Sequence, residues 1–183
     1  MDAPLSVSQF NRMVKQLVEC ERLSDIVLPD SVTEISREAF SGCTSLTSVV
    51  IPDSVTKIGI SAFENCTSLT TINLGKVLVL REGAFYGCSS LKKITFSGEN
   101  NLKIISQGAF QECDLQDTLD LSAICVISNY AFAGNQDLEG VITSEALLSI
   151  SQYAFAGCKS LTDVTIESAK VKYGPYAFTD CEA

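Results

Sequence analysis

The sequence contains neither histidine nor tryptophan. Histidine is the usual general base and the commonest metal ligand, so its absence argues against His-dependent catalysis and most zinc sites. The longest unbroken apolar run has five residues, 123–127, whereas a membrane-spanning helix needs about 20. The opening Met1-Asp2-Ala3-Pro4 has no basic region before an apolar stretch, so we expect no signal peptide and no membrane insertion.

Basic residues are scarce. Lys and Arg number 13 against 22 Asp and Glu, which gives a net charge of −9. A chain with this charge repels nucleic acid and anionic lipid, so neither is expected as a partner. The 183 residues are 46% apolar and 19% charged, which is typical of a folded chain long enough to enclose a sizeable core.

The dominant feature of the sequence is an internal repeat. An Ala-Phe pair recurs every 22 to 25 residues, and a cysteine follows three residues after most of the phenylalanines. The seven repeated phenylalanines are Phe40, Phe63, Phe85, Phe110, Phe132, Phe155 and Phe178. A unit this short cannot enclose its own apolar side, so neighbouring units must share one core. The repeat therefore predicts a solenoid, with Phe63 and Phe132 deeply buried.

Each repeat contains two apolar patterns. Segments that alternate with a period of two, such as Ile72/Leu74, predict short strands stacked into a parallel sheet. A second pair, such as Val55/Ile58, predicts another inward-facing stretch. The Ala-Phe-x-x-Cys segment predicts one helical turn, which Gly, Asn or Asp two residues after Phe would end in the left-handed conformation. Glu112 departs from that column, in a repeat that also loses one residue before Leu115, so we expect this coil to be reshaped.

These repeats resemble the BspA-like leucine-rich repeat, as in Leu46–Cys66, LTSVVIPDSVTKIGISAFENC. The resemblance covers about residues 20–181. It implies an α/β solenoid: a right-handed coil with a parallel concave β-sheet and short helical turns on the convex side. It also implies an adhesin-like protein, located on the cell surface or secreted, that binds other proteins.

Residues 1–19 do not fit the repeat. Their apolar positions follow the spacing of one helical face, namely Phe10, Met13, Val14, Leu17 and Val18. We therefore predict an N-terminal capping helix over residues 1–19 and a solenoid of about seven coils over 20–183. The C-terminal coil is expected to be incomplete, and its open strand edge predicts weak self-association through residues 164–183.

The cysteines suggest a structural role. Seven of the eight recur once per repeat, no C-x-x-C pair occurs, and Asn135 stands in the same column. Cysteines in such a column are typical of small buried side chains. We therefore expect all eight to be reduced, with no metal and no cofactor.

The candidate binding face consists of outward-facing strand positions and their neighbours. Its residues are Lys93, Thr95, Asp117, Thr118, Asp120, Glu139, Ile142, Asp163 and Thr165. Residues 104–169 contain nine acidic residues and one basic residue, Lys159. This charge predicts a basic protein partner at the acidic end, although a solvated sheet face would explain it as well.

The sequence thus favours a non-catalytic protein–protein interaction module over an enzyme. One alternative is an intracellular scaffold or assembly module, for which the absence of a signal peptide would imply a cytoplasmic location. A second alternative is an accessory part of a nucleic-acid enzyme, since residues 4–17 resemble the opening of exonuclease VII large subunits. That resemblance spans about 15 residues, and no nuclease function is carried over from it.

Overall fold

The computed structural model describes residues 22–96 and 100–182. Within these ranges there are 14 short strands, two in each of seven successive coils, which we number 1 to 7. The strands are β1 Asp25–Val27, β2 Glu34–Ile35, β3 Ser48–Val50, β4 Lys57–Ile58, β5 Thr71–Asn73, β6 Val79–Leu80, β7 Lys93–Thr95, β8 Ile104–Ile105, β9 Thr118–Asp120, β10 Val126–Ile127, β11 Gly140–Ile142, β12 Ser149–Ile150, β13 Asp163–Thr165 and β14 Lys172–Tyr173.

The strands build two sides of a parallel β-solenoid. Odd-numbered strands, three residues long, form the first sheet, and even-numbered strands, two residues long, form the second. All pairings are parallel, and equivalent residues of successive coils face each other, as Ile72 and Ile94 do. The strands predicted from the alternating segments, and their parallel arrangement, are confirmed. The inward-facing Val55 and Ile58 are also buried as predicted.

Coil 4 interrupts both sheets, and the first sheet is also interrupted between β3 and β5. The first sheet consists of three pieces, β1-β3, β5-β7 and β9-β11-β13, and the second of two, β2-β4-β6 and β8-β10-β12-β14. In coil 4, β7 pairs with β5 of the preceding coil, whereas β8 pairs with β10 of the following coil. The connection between these two strands runs from Thr95 to Ile104, longer than the equivalent connections in coils 3 and 5. This extra length lets one coil follow a different neighbour on each sheet.

The third side of each coil, which we call the turn face, is the segment around the Ala-Phe pair. In the described ranges it contains no α-helix, so the predicted helical turns are wrong there. The N–H groups alternate between two kinds of acceptor: Cys43 donates within its coil to Phe40 O (3.1 Å), whereas Phe40 donates to Ala62 O of the next coil (2.7 Å). An α-helix would direct every N–H along its own axis. The predicted capping helix lies outside the described residues.

Two columns of left-handed backbone produce this alternation. The residue two after each repeated Phe has a φ between 56° and 81° in all seven coils, as predicted from its Gly, Asn and Asp content. Glu112 adopts the same conformation, with a φ of 56°, although its residue type departs from the column. The residue two before each Phe is also left-handed, although only two of the seven are glycine: Glu38, Ser61, Gly83, Gly108, Tyr130, Tyr153 and Tyr176.

The core is organised around a stack of phenylalanine rings. The seven repeated rings lie nearly parallel, with successive centroids 5.0 to 5.6 Å apart. The first six, from Phe40 to Phe155, are 0% exposed, which confirms the predicted burial of Phe63 and Phe132. Stacking adds to the hydrophobic stabilisation that burial of each ring supplies. The stack therefore runs unbroken beneath the turn face.

The cysteine column supplies hydrogen-bond donors as well as volume. Each thiol contacts the carbonyl of the repeated Phe one coil earlier, as Cys66 Sγ does with Phe40 O (3.1 Å) and Cys158 Sγ with Phe132 O (3.3 Å). Burial raises the pKa of Cys158 to about 12, so this thiol stays protonated and unreactive at neutral pH. Six described cysteines are free, but Cys43 forms a disulfide, so the prediction that all eight are reduced is wrong.

Asn135 replaces the thiol for an identifiable reason. Its Nδ2 donates to Phe110 O (2.8 Å), as a cysteine would, and also to Phe132 O (2.7 Å). Its Oδ1 accepts from the N–H of Leu115 (3.1 Å). In other coils the equivalent leucine N–H bonds to the Cys carbonyl three residues earlier, as Leu91 does with Cys88. Leu115 is one residue too close to Cys113 for that bond, so Asn135 supplies the missing acceptor.

Candidate functional site

All nine residues of the predicted binding face are exposed. Lys93 and Thr95 lie on β7, and the others lie on β9, β11 and β13 or immediately before them. The register aligns Thr118, Gly140 and Asp163 in one row and Asp120, Ile142 and Thr165 in the next. The structure thus brings seven of the nine residues onto one continuous piece of the first sheet. Lys93 and Thr95 lie on β7, which is separated from this piece by the gap between β7 and β9.

Gly140 lets the middle of this face lie flat. A Cβ at this position would come within 2.6 Å of Thr118 Oγ1 and 3.1 Å of the Asp163 carbonyl oxygen, on the two neighbouring strands. A side chain here would force Thr118 to shift and would press against the β13 backbone. Glycine therefore accommodates the close approach of its neighbours, and it is buried although its column points outward.

The face is negatively charged and its charges are not neutralised. Asp117, Asp120, Glu139 and Asp163 form no ion pair with any basic residue in the described ranges, where the acidic partner of Lys92 is Asp114 (3.8 Å). The Ser122 hydroxyl and backbone N–H donate to Asp120 Oδ1 at 2.5 and 3.0 Å. These hydrogen bonds lower the pKa of Asp120, which keeps its carboxylate ionised.

The other end of the first sheet has different chemistry. Val27 is 74% exposed and Val50 is 56% exposed, and they lie side by side on β1 and β3. In the same strands the Ser48 hydroxyl donates to Asp25 Oδ1 (2.6 Å), which lowers the pKa of Asp25. The face therefore combines two exposed valines with one carboxylate in coils 1 and 2, whereas it is acidic in coils 5 to 7. Both valines stand at outward strand positions, but they were not predicted as site residues.

A cavity of about 460 Å³ opens where the first sheet is interrupted, between β7 and β9. We call it the cleft, and it is lined by residues 94–96, 100 and 118–123. The repeat pattern did not predict this cleft. The one available signal was the 25-residue step from Phe85 to Phe110, the longest interval in the repeat.

Two kinds of feature are absent from the described residues. No group of three or more Cys, Asp or Glu side chains in residues 22–96 and 100–182 could hold a metal ion. Over the same part of the chain, no helix has the length and hydrophobicity to cross a membrane. The site is therefore a surface of charged and apolar side chains.

The chain matches a model of the BspA-type leucine-rich repeat region, with six copies over residues 15–139 and 118–183. A search of curated proteins finds no match. Leucine-rich repeats of this kind generally form non-enzymatic surfaces for protein–protein interaction.

Among solved structures, the leucine-rich-repeat protein of T. pallidum is similar, with 30% sequence identity and a TM-score of 0.75, over 84% of this chain and 74% of that one. A leucine-rich-repeat protein from Eubacterium ventriosum has 23% identity and a TM-score of 0.76, over 87% and 43%. The pneumococcal vaccine antigen PcpA has 18% identity and a TM-score of 0.51, over 86% and 60%. The repeated strands, the stacked phenylalanines and these matches agree: the chain belongs to the BspA-type leucine-rich-repeat family.

Proposed function

We propose that the protein binds a basic protein partner through the outward face of β9-β11-β13. The observation that carries the proposal is the set of four carboxylates on this face, Asp117, Asp120, Glu139 and Asp163, none of which has a basic partner in the described residues. Unneutralised charge of one sign on a rigid surface attracts a partner of opposite charge and accelerates association.

An apolar side chain lies in the middle of this charge. Ile142 is 40% exposed on β11, between Asp120 and Thr165 in the register. Protein interfaces commonly combine an apolar centre that loses water with a polar rim. Ile142 would supply part of the binding free energy, whereas the carboxylates would set the orientation and the association rate.

We further propose an adhesin-like role at the cell surface. This proposal is supported by family membership alone, since BspA-type repeats occur mostly in surface proteins that bind other proteins. It is tested by isolating partners from host-cell extracts with the immobilised chain and asking whether their contact regions are basic.

The binding face is tested by charge reversal once a partner is isolated. Asp120→Lys with Asp163→Lys should slow association about tenfold at low salt, and the difference should shrink as salt is raised. The control is Asp30→Lys with Glu145→Lys, which changes the net charge equally at exposed positions outside the face. Equal slowing in both variants would show that net charge, and not this face, steers the partner.

A further inference from the structure

The cleft exposes two strand edges that face each other. In the described residues, no backbone hydrogen bond joins β7 to β9, although each is fully paired on its other side, with β5 and β11. Backbone N–H and C=O groups are almost always paired in folded proteins, and an unpaired strand edge is a template for another strand. Two such edges face one cavity in the interior of the first sheet.

The hydrogen bonds identify the groups that face the cleft. Leu74 N–H donates to Thr95 O, so Thr95 faces β5, and Leu121 N–H donates to Ile142 O, so Leu121 faces β11. Successive residues of a strand direct their backbone groups to opposite edges. Ile94 and Phe96 on one side, and Thr118 and Asp120 on the other, therefore present their N–H and C=O groups to the cleft, which all four residues line.

A local backbone feature opens the cleft. The two coils are still joined just before their strands, where Gln116 N–H donates to Lys92 O (3.1 Å). The next residue, Asp117, has a φ of 58°. In the other described coils, the residue directly before the first-sheet strand does not have a positive φ. After Asp117 the chain leaves β7 and pairs with β11, which is the reshaping expected for this coil.

The lining combines apolar and acidic groups. Ile94 and Phe96, both half-buried, supply apolar surface, and Asp120 supplies a carboxylate fixed by Ser122. The volume of about 460 Å³ lies within the range of about 300–1,000 Å³ that is usual for binding pockets. An occupant must therefore offer backbone donors and acceptors along two edges, apolar side chains, and a positive charge near Asp120.

We propose that the cleft binds one extended segment of a partner polypeptide, which adds as a strand between β7 and β9 with a lysine or arginine next to Asp120. Strand addition of this kind obtains affinity from main-chain hydrogen bonds and specificity from alternate side chains. The inference rests on the proposed protein-binding function and gives it a definite mode. It also gives a role to the gap in the sheet between two coils whose turn faces stay joined by inter-coil hydrogen bonds.

The test uses the full chain and a synthetic probe, the capped hexapeptide Val-Lys-Val-Lys-Val-Lys. We expect saturating peptide to slow hydrogen exchange at the amides of Ile94, Phe96, Thr118 and Asp120 by at least about tenfold. A matched peptide N-methylated at alternate residues lacks the backbone donors along one of its two edges and should bind at least about tenfold more weakly, which corresponds to about 1.4 kcal/mol. Equal binding of the two peptides, or unchanged exchange at the four amides, would overturn the proposal.

Two variants localise the binding. Ala123→Phe fills the cleft and should abolish peptide binding, whereas Ala146→Phe, at an exposed position outside the cleft, should leave it unchanged. If Ala123→Phe fails to fold, Asp120→Asn serves instead and should weaken the lysine peptide without affecting a norleucine analogue. Asp163→Lys separates the two proposals, because it should slow partner association and spare the peptide. If the peptide does not bind in the cleft although Asp163→Lys slows partner association, strand addition is refuted and the proposed binding face is retained.

Discussion

The long connection between the two strands of coil 4 affects the turn face and the first sheet differently. Across coil 4 the turn face keeps its inter-coil hydrogen bonds: Phe85 N–H donates to Ala109 O and Phe110 N–H donates to Ala131 O, both at 2.9 Å. The Phe85–Phe110 and Phe110–Phe132 ring centroids remain 5.3 and 5.6 Å apart. The first sheet, by contrast, loses its ladder between β7 and β9. Stacking of the coils is therefore set on the turn face, and the sheets absorb variation in coil length.

The physical reason lies in how much apolar surface each side of the solenoid buries. The turn face combines inter-coil hydrogen bonds with a fully buried aromatic ring in six of the coils. The first sheet has three-residue strands whose outer side chains are mostly exposed. A gap in the sheet exposes a few backbone groups to water, whereas a gap in the ring stack would leave a cavity. The following four changes test this difference.

Phe63→Ala should have the largest effect. The ring is 0% exposed and stacked between Phe40 and Phe85, so truncation should cost about 3–5 kcal/mol of unfolding free energy. A urea titration measures the loss, and Tyr173→Ala, at a 57% exposed side chain, is the control, with an expected change within about 0.5 kcal/mol. A loss below about 1 kcal/mol for Phe63→Ala would show that the ring stack does not hold the coils together.

Ile72→Ala and Ile94→Ala compare closed and open parts of the first sheet. The two residues are register partners on β5 and β7, but Ile72 is 1% exposed, whereas Ile94 lines the cleft and is half-buried. We expect a loss of about 2–5 kcal/mol for Ile72→Ala and about 1 kcal/mol for Ile94→Ala. Equal losses in the same urea titration would indicate that the cleft is closed in solution.

Asn135→Cys tests whether Asn135 compensates for the residue missing before Leu115. Cysteine keeps a donor for Phe110 O but leaves the buried Leu115 N–H without an acceptor, which should cost about 1–3 kcal/mol. Inserting one residue after Asp114 in the same variant restores the usual Cys-to-Leu spacing and should recover most of the loss. An unchanged unfolding free energy for Asn135→Cys alone would contradict the assigned role of Asn135.

The smallest effect concerns the charge at the cleft. Because the folded-state pKa of Asp120 is lowered, its ionised form stabilises the fold at neutral pH, and this contribution is lost as pH falls through that pKa. Ser122→Ala removes the hydroxyl donor, the first cause of the shift, and should raise the pKa of Asp120 towards its ordinary value. NMR titration of the carboxyl carbons measures this, with Asp25 as an internal control that should not move.

The sequence predicted the features that depend on local pattern. The alternation around Ile72 located β5, and the recurring Ala-Phe pair identified the buried rings, because apolar periodicity directly reflects which side chains face the core. The outward columns of the first sheet followed from the same alternation. All nine predicted site residues were therefore exposed, although only seven share one piece of sheet.

The features that depend on neighbouring coils were missed. The Ala-Phe segment was taken for a helical turn because the left-handed column before it contains residues such as Glu38 and Tyr130, which do not favour that conformation. Hydrogen bonds from the next coil hold them there. The cleft depends in the same way on which neighbouring strand each strand of coil 4 pairs with. The disulfide at Cys43 departs from the column pattern that predicted free thiols.

The bonding of Asn135 has a consequence for how such repeats evolve. A change from cysteine to asparagine preserves the donor to the preceding coil and, if it arises first, leaves only the side-chain oxygen without a partner. Once it is present, the loss of one residue before Leu115 is tolerated, because the acceptor for its N–H is already in place. The reverse order would pass through a chain with a buried, unpaired amide. The two changes are therefore epistatic, and among related repeats a shortened coil should be inherited together with asparagine in the coil that follows it.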